Sequence, residues 1–314
     1  MKKITVLIPC YNEVENVGPI SRAVIDIFEN DETLKKYDFD VQFIDNCSKD
    51  GTRGKLEELC AAEKRIKAIF NVKNFGQFNS PFYGMLEARC DALILLCCDF
   101  QDPVELIPTF VKEWENGHKI VCGIKNKSKE SPLLYNLRSI YYKLVKKFST
   151  VEQIEHFTGF GLYDNEFLDV LRSLKDPTPF LRGIVAEYGY NRKEVPYCQE
   201  NRRAGKTHNN WVSLFDAAML SVTTYTRVAV RIAVCLGFVL ILLNMLLALA
   251  YVITGIFVPY LFTLWVIPIL ISIFLVGSVL LFFTGFVGEY VEAVNRRVLG
   301  RPLVVEEKRL NWEK

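Results

Sequence analysis

The chain has 314 residues, 50% of them hydrophobic, with 38 basic and 36 acidic side chains and a net charge of +2. It is too long for one small domain, too apolar for a disordered chain and too nearly neutral to suggest bulk nucleic-acid binding. Nine cysteines are an odd number, and Met1-Lys2-Lys3 leads straight into a strand-like run without a signal peptide. A secreted disulfide scaffold is therefore not expected, and the thiols are read as reduced and mostly structural.

Strand-like and helix-like patterns alternate over residues 1–210. Ile4 to Ile8 is a short apolar, β-branched run, broken at Pro9 to Asn12. Glu13 to Asn30 then carries Val17, Ile20, Val24, Ile27 and Phe28 at helical spacing. Val41 to Ile44 is a second strand ending at Asp45, and Asp50-Gly51-Thr52 opens a helix through Leu56, Leu59 and Cys60. Lys67 to Phe70 reads as a third strand and Gly76 to Arg89 as a helix. Ala92 to Cys97 is a continuous apolar run, expected for a central strand covered on both faces. Pro103 starts a helix to about Asn116, and Ile120 to Cys122 is another strand. This alternation predicts a parallel, doubly wound sheet whose ligands bind beyond the carboxyl ends of the strands. The polar residues gather at those ends: Asn12 and Glu13, Asp45 and Asn46, then Asp99, Gln101 and Asp102.

The remainder is different. From Ile232 to Gly288 there are 57 consecutive residues without Asp, Glu, Lys or Arg. One bilayer crossing needs about 20 apolar residues, so the run holds two. They are Ile232 to Ile253, ended by Thr254-Gly255, and about Leu261 to Phe286, with Pro268 inside. Arg227 and Arg231 precede the first span; Arg296, Arg297 and Arg301 follow the second. Both flanks, and both termini, are thereby expected on the cytoplasmic side. The alternative is a buried hairpin in a soluble core. Asn244 marks an interhelical hydrogen bond or is simply tolerated.

No G-x-G-x-x-G follows the first strand and no G-x-x-x-x-G-K-[ST] is present, which disfavours a dinucleotide oxidoreductase and a P-loop phosphotransferase. No His/Cys spacing suits structural zinc, and three scattered histidines give poor support to a Ser-His-Asp hydrolase. Asp99 and Gln101, two apart in extended chain, would point to one face and offer oxygen ligands for Mg²⁺ or Mn²⁺ held with a substrate's phosphates. The competing reading makes the segment a helix cap, with Asp102 as the N-cap before Pro103.

Pro9-Cys10-Tyr11-Asn12-Glu13, Asp45-Asn46-Cys47-Ser48-Lys49-Asp50-Gly51-Thr52, Asn74-Phe75-Gly76-Gln77 and Asp99-Phe100-Gln101-Asp102-Pro103 resemble, in order, the motifs of family 2 inverting glycosyltransferases. The hairpin, Gly288-Glu289-Tyr290-Val291 and Arg301-Pro302-Leu303 narrow the resemblance to bacterial polyprenyl-phosphate glycosyltransferases related to dolichyl-phosphate mannose synthase. The resemblance implies an α/β fold: a GT-A (Rossmann-like, mostly parallel sheet) cytosolic domain over 1–210. An interfacial amphipathic helix over 211–230, two transmembrane helices over 231–288 and a cytoplasmic tail over 289–314 would follow. The implied enzyme is a hexosyltransferase of the cell membrane. It would move a sugar with inversion from a nucleoside diphosphate sugar, with a lean to uridine, onto undecaprenyl phosphate for cell-envelope glycan modification. Homo-oligomers built through the membrane helices are a further implication.

By the same resemblance Pro9, Tyr11, Glu13 and Asp45 line the nucleoside pocket, with Asp45 receiving a donor of the base. Asp99 and Gln101 hold Mg²⁺ or Mn²⁺ on the diphosphate. Arg202, in Arg202-Arg203-Ala204-Gly205-Lys206-Thr207, matches the family's phosphate-gripping loop; the alternative for this cluster is basic decoration beside a membrane span. Arg138, in the helix-like stretch Leu133 to Phe148, is a candidate for the acceptor phosphate or part of a solvated basic face. Three departures from the family pattern stand out: Asn46 where a second acid is frequent, Cys97 where an Asp usually opens the metal motif, and Gly159 where many relatives carry an Asp proposed as base. A lipid monophosphate, with a second pKa of about 6, is largely ionised at neutral pH and needs no such base. A processive polysaccharide synthase and a non-catalytic sugar-nucleotide-binding membrane protein are the competing functions.

Overall fold

A computed structural model describes residues 1–127, 151, 154–200, 202–204, 219–220, 228–257 and 266–312. β1 (Lys3–Cys10), α1 (Val17–Asn30), β2 (Asp38–Asp45), α2 (Thr52–Ala62), β3 (Ile66–Asn71), α3 (Gly76–Glu87) and β4 (Ala92–Leu95) come in the expected order. One 3-10 turn, Val104–Leu106, leads into α4 (Ile107–Glu115). β5 (Ile120–Lys127), β6 (Phe157–Asp164), α5 (Asn165–Leu174), α6 (Leu181–Tyr188) and β7 (Arg192–Cys198) complete this part. Two long helices, α7 (Val228–Phe257) and α8 (Val266–Leu299), precede a last strand, β8 (Glu306–Leu310).

All eight strands form one sheet in the order β7-β5-β6-β4-β1-β2-β3-β8. The centre is parallel: β1 pairs with β2 and β4, and β2 with β3. The sheet is nonetheless mixed, because β6 runs antiparallel to β4 and β5, and β8 antiparallel to β3. The apolar runs are continuous because both faces are covered. Ile4, Val6 and Ile8 of β1 meet Ile20, Val24 and Phe28 of α1, while Leu7 packs on the other face with Ile44, Phe82 and Met85. Gly84 lets α3 sit close: a Cβ there would lie 2.8 Å from Leu7 Cδ1. Deleting so tightly packed a side chain as Leu7 would cost roughly 3 kcal/mol.

Two expected boundaries shift. The fourth strand ends at Leu95 rather than Cys97, and Cys97 is exposed. The first long helix does not stop at Thr254-Gly255 but continues to Phe257, since an uncharged helix keeps its backbone bonds through a single glycine. α7 and α8 are each long and apolar enough to cross a membrane, and side chains such as Phe238, Leu242, Met245, Ile271 and Phe274 face outward. The two helices form a candidate transmembrane hairpin. Asn244 bonds Leu240 O within its own helix and accepts the Ser272 hydroxyl from the other, so it does link the pair. The Arg138 stretch and nearly all of 211–227 lie outside the described residues.

Candidate active site

The parallel register brings the carboxyl ends of β1 and β2 together at Cys10 and Asp45, with β4 ending beside them. Just beyond each end the backbone turns left-handed at a non-glycine residue: Asn12 (φ 55°), Cys47 (φ 66°) and Phe100 (φ 62°). Such positions cost about 1–2 kcal/mol each and persist only where neighbours hold them. Asn12 is held twice: its N–H donates to Ser48 Oγ at 2.8 Å, and its Oδ1 accepts from Lys49 N at 2.8 Å. Glu13 N–H donates to Thr52 Oγ1 at 2.9 Å. The loops after β1 and β2 are thereby latched into one floor. Pro9 is in register with Ile44 in that floor, and Tyr11 follows it, half-buried.

Asp45 is fully buried at the end of β2. Burial raises its carboxyl above the ordinary range, and the Ser48 hydrogen bonds and the Arg53 guanidinium pull it part of the way back. Ser48 N–H reaches its two oxygens at 3.3 and 3.2 Å, and Arg53 Nε lies 3.4 Å from Oδ2. Asn46 explains the missing second acid. Its Nδ2 donates to Asn74 Oδ1 at 2.9 Å and Gly76 O at 3.2 Å, while its Oδ1 accepts from Phe75 N at 2.8 Å and Asn71 Nδ2 at 3.2 Å. A carboxylate could supply the accepting half of this cross-link but not the donating half.

The segment after β4 is not extended. Phe100 is left-handed and Gln101 N–H folds back onto Asp99 Oδ1 at 3.2 Å, so the two-apart, one-face argument does not apply here. Asp99 and Arg202 nevertheless meet. Arg202 Nη2 lies 2.9 Å from Asp99 Oδ2, and its Nη1 lies 3.2 Å from Glu13 Oε1. The other Glu13 oxygen takes Asn16 Nδ2 at 2.6 Å. The loop carrying Arg202 crosses the motif like a short strand: Glu200 N–H donates to Gln101 O and Arg203 N–H to Asp99 O, both at 3.2 Å. The Arg203 guanidinium covers the Phe100 ring, 5.1 Å from its centroid. Pro9, Tyr11, Glu13, Asp45, Asp99, Gln101 and Arg202 therefore share one edge of the sheet, while Arg138 falls outside the described residues.

Asp102 is not a helix cap. The turn at Val104 has no side-chain cap, and Asp102 Oδ1 instead accepts the Tyr197 hydroxyl at 2.7 Å. Its Oδ2 is buried without a partner, and burial raises its carboxyl. Cys97 does not replace the absent acid. Enclosure by protein and the nearby Asp102 and Asp99 push its thiol well up, and a protonated thiol is a poor ligand for a hard cation. Gly159 has φ 107°, a backbone that side chains rarely adopt, and brings no carboxylate. Among the described residues no three His, Cys, Asp or Glu side chains cluster as a metal cage. One carboxylate and one amide suit an open Mg²⁺ or Mn²⁺ site, whose remaining ligands come from phosphate and water. The pairing of Asp99 with a guanidinium fits this, for it is a carboxylate in demand of a counter-charge. Sequence reasoning missed Arg53, Asn16 and Tyr197, which no motif spacing marks.

Comparison with known proteins adds the following. The family model described as glycosyl transferase family 2 matches residues 5–171. A Bacillus subtilis (strain 168) chain named only as a glycosyltransferase, CsbB, is 28% identical over 303 residues, covering 95% of this chain and 89% of its own. The SfII prophage-derived bactoprenol glucosyl transferase of Shigella flexneri is 27% identical over 321 residues, covering 98% of each. The crystal structure of mannosyl-3-phosphoglycerate synthase from Rubrobacter xylanophilus shares the fold, with a TM-score of 0.50 at 16% identity over 70% of this chain and 72% of that one.

Proposed function

The chain belongs to glycosyl transferase family 2 and is a glycosyltransferase, and from that premise we propose that it moves a sugar from a nucleoside diphosphate sugar onto a polyprenyl phosphate at a membrane surface. The observation that carries the membrane acceptor is the return of the chain after α8. β8 runs antiparallel to β3, so Glu306 enters opposite Asn71, at the sheet edge that also holds Asp45 and Asp99. Only residues 300–305 lie between α8 and β8. At about 3.5 Å per residue, they keep the helix end within roughly 20 Å of that edge. The name of the Shigella relative, a bactoprenol glucosyl transferase, supports the same acceptor class. The basic flanks of the hairpin favour a cytoplasmic position for the catalytic domain and both termini.

The residues divide the work. Pro9, Tyr11 and Glu13 line the nucleoside pocket, and the Asp45 carboxylate accepts the base N–H, which suits uridine. Arg202 leaves its pair with Asp99 and Glu13 to grip diphosphate oxygens with two parallel N–H groups. Asp99 and Gln101 would hold Mg²⁺ or Mn²⁺, which supplies charge neutralisation on the departing diphosphate. The acceptor phosphate, already ionised, is positioned by basic side chains, with Arg138 the candidate from the adjoining stretch. Its oxygen forms the new bond to the anomeric carbon as the bond to the diphosphate breaks. The nucleoside diphosphate departs with the electron pair, and the configuration inverts. No proton need be removed from such a nucleophile, so Gly159 costs the reaction nothing.

The test is incubation of the purified full-length protein with labelled UDP-sugars, Mg²⁺ or Mn²⁺ and undecaprenyl phosphate. Label in the lipid extract, lost on chelation, is the expected result. A broad donor panel that leaves the lipid unlabelled, with protein that still binds UDP, would overturn the acceptor assignment. Polymer in place of single-sugar lipid would point to a processive synthase.

A further inference from the structure

The pairing of β8 with β3 is irregular. Phe70 pairs with Lys308 and Asn71 with Glu306, so Glu307 is an extra residue on β8. A bulge of this kind bends an edge strand and re-aims a side chain, and bulges concentrate beside active sites. Here Glu307 Oε2 accepts from Arg53 Nη2 at 2.7 Å. The Arg53 guanidinium lies over the Phe70 ring, 5.2 Å from its centroid, and its Nε is 3.4 Å from Asp45 Oδ2. The guanidinium is a rigid plane whose donors point in fixed directions. Fixing Nη2 from one side and the plane from another therefore sets where Nε points.

We propose that Glu307, in the tail beyond the membrane hairpin, is a positioning residue for the nucleotide: it holds Arg53 in line with Asp45 and so completes the nucleoside pocket from outside the motifs that form it. This rests on the reading that Asp45 receives the base. Three observations converge on it. Asp45 is wholly buried, so its orientation and charge depend on very few neighbours. Arg53 is a long side chain, a quarter exposed, which one buried contact alone would not order. The bulge places an additional acid where a regular ladder would run straight from Glu306 to Lys308. The donor site is thereby coupled to a strand that follows both long helices.

The experiment measures UDP and GDP binding, and steady-state kinetics with whichever donor is active, on full-length protein in detergent. Glu307→Gln is expected to raise the dissociation constant and the donor KM about fourfold, as for a partly exposed ion pair, with kcat unchanged. Glu307→Asp recovers part of the loss. Arg53→Gln costs about tenfold, and Arg53→Gln combined with Glu307→Gln costs no more than Arg53→Gln alone, because the second acts through the first. Wild-type binding in Glu307→Gln, alongside weakened binding in Asp45→Asn, overturns the inference and leaves the nucleoside reading intact. Additive losses in the double variant overturn it too, since they assign Glu307 a separate role in strand stability. Wild-type binding in Asp45→Asn brings down the nucleoside reading and the inference with it.

Discussion

At the end of β2, Asn46 uses both donor and acceptor groups on Asn71, Asn74, Phe75 and Gly76, and Asp45 is held by Ser48 and Arg53. Beyond β4, in contrast, Asp102 keeps one oxygen without a partner, and Asp99 shares a single Arg202 with Glu13. The first end is a saturated neutral network reinforced by short-range turns. The second is held by ion pairs whose members come from distant loops. A saturated network costs energy to disturb and suits a group that is recognised the same way in every cycle, such as a base. Exchangeable charges suit the end where a diphosphate must arrive, be neutralised and leave. Substitutions should therefore cost turnover at the β4 end and stability or donor affinity at the β2 end.

The largest effect expected is at Asp99. Asp99→Ala should lower turnover about a thousandfold with the thermal unfolding midpoint close to wild type; retention of a tenth of the activity would erase the distinction. Arg202→Ala should lose about a hundredfold in kcat/KM, and Arg202→Lys should recover little, because a point charge cannot reproduce the fork. Asn46→Asp should show the opposite profile: a stability loss of roughly 2–3 kcal/mol in denaturant titration, from two acceptors left without a donor and one charge gained. A variant with full stability and no turnover would reverse the roles of the two ends. The acid limb sharpens the contrast. Burial raises Asp45, so it protonates at a higher pH than an ordinary carboxyl. UDP affinity should then begin to fall, on acidification, above the usual Asp value near 4, and Arg53→Gln should move that onset higher. In folding stability the sign is opposite: an acid raised in the fold favours the folded state below its unfolded pKa, and that gain is lost as pH rises through the folded value. The smallest effect is in the hairpin, where Asn244→Leu should cost about 0.6 kcal/mol of helix association, read from unfolding in detergent mixtures.

What was legible followed from burial. The β1, β2 and β4 runs sit under helices on both faces, so they read as unbroken apolar segments, and the polar residues that end them are the site. The hairpin was legible because lipid-facing helices carry no charge. β8 was not, since Glu306 to Arg309 are all charged and read as a solvated tail. Their partners, Glu57, Arg53 and Glu87, are other surface charges far away in the chain. The relation between Asp99 and Gln101 was misjudged because the period-two rule holds only inside a strand, and the left-handed Phe100 breaks it. Asp102 was misassigned because its hydroxyl partner, Tyr197, comes from β7 at the far side of the sheet order.

The position of β8 has a consequence for biogenesis. On the ribosome, β3 is made early and its covering strand is made last, after both long helices. Until those helices have been threaded into lipid and the final residues fold back, β3 offers a bare row of amides and carbonyls, a template for illicit pairing. A nascent chain that misses insertion thus carries two adhesive surfaces at once, and completion of the water-facing half becomes a checkpoint on delivery to the bilayer.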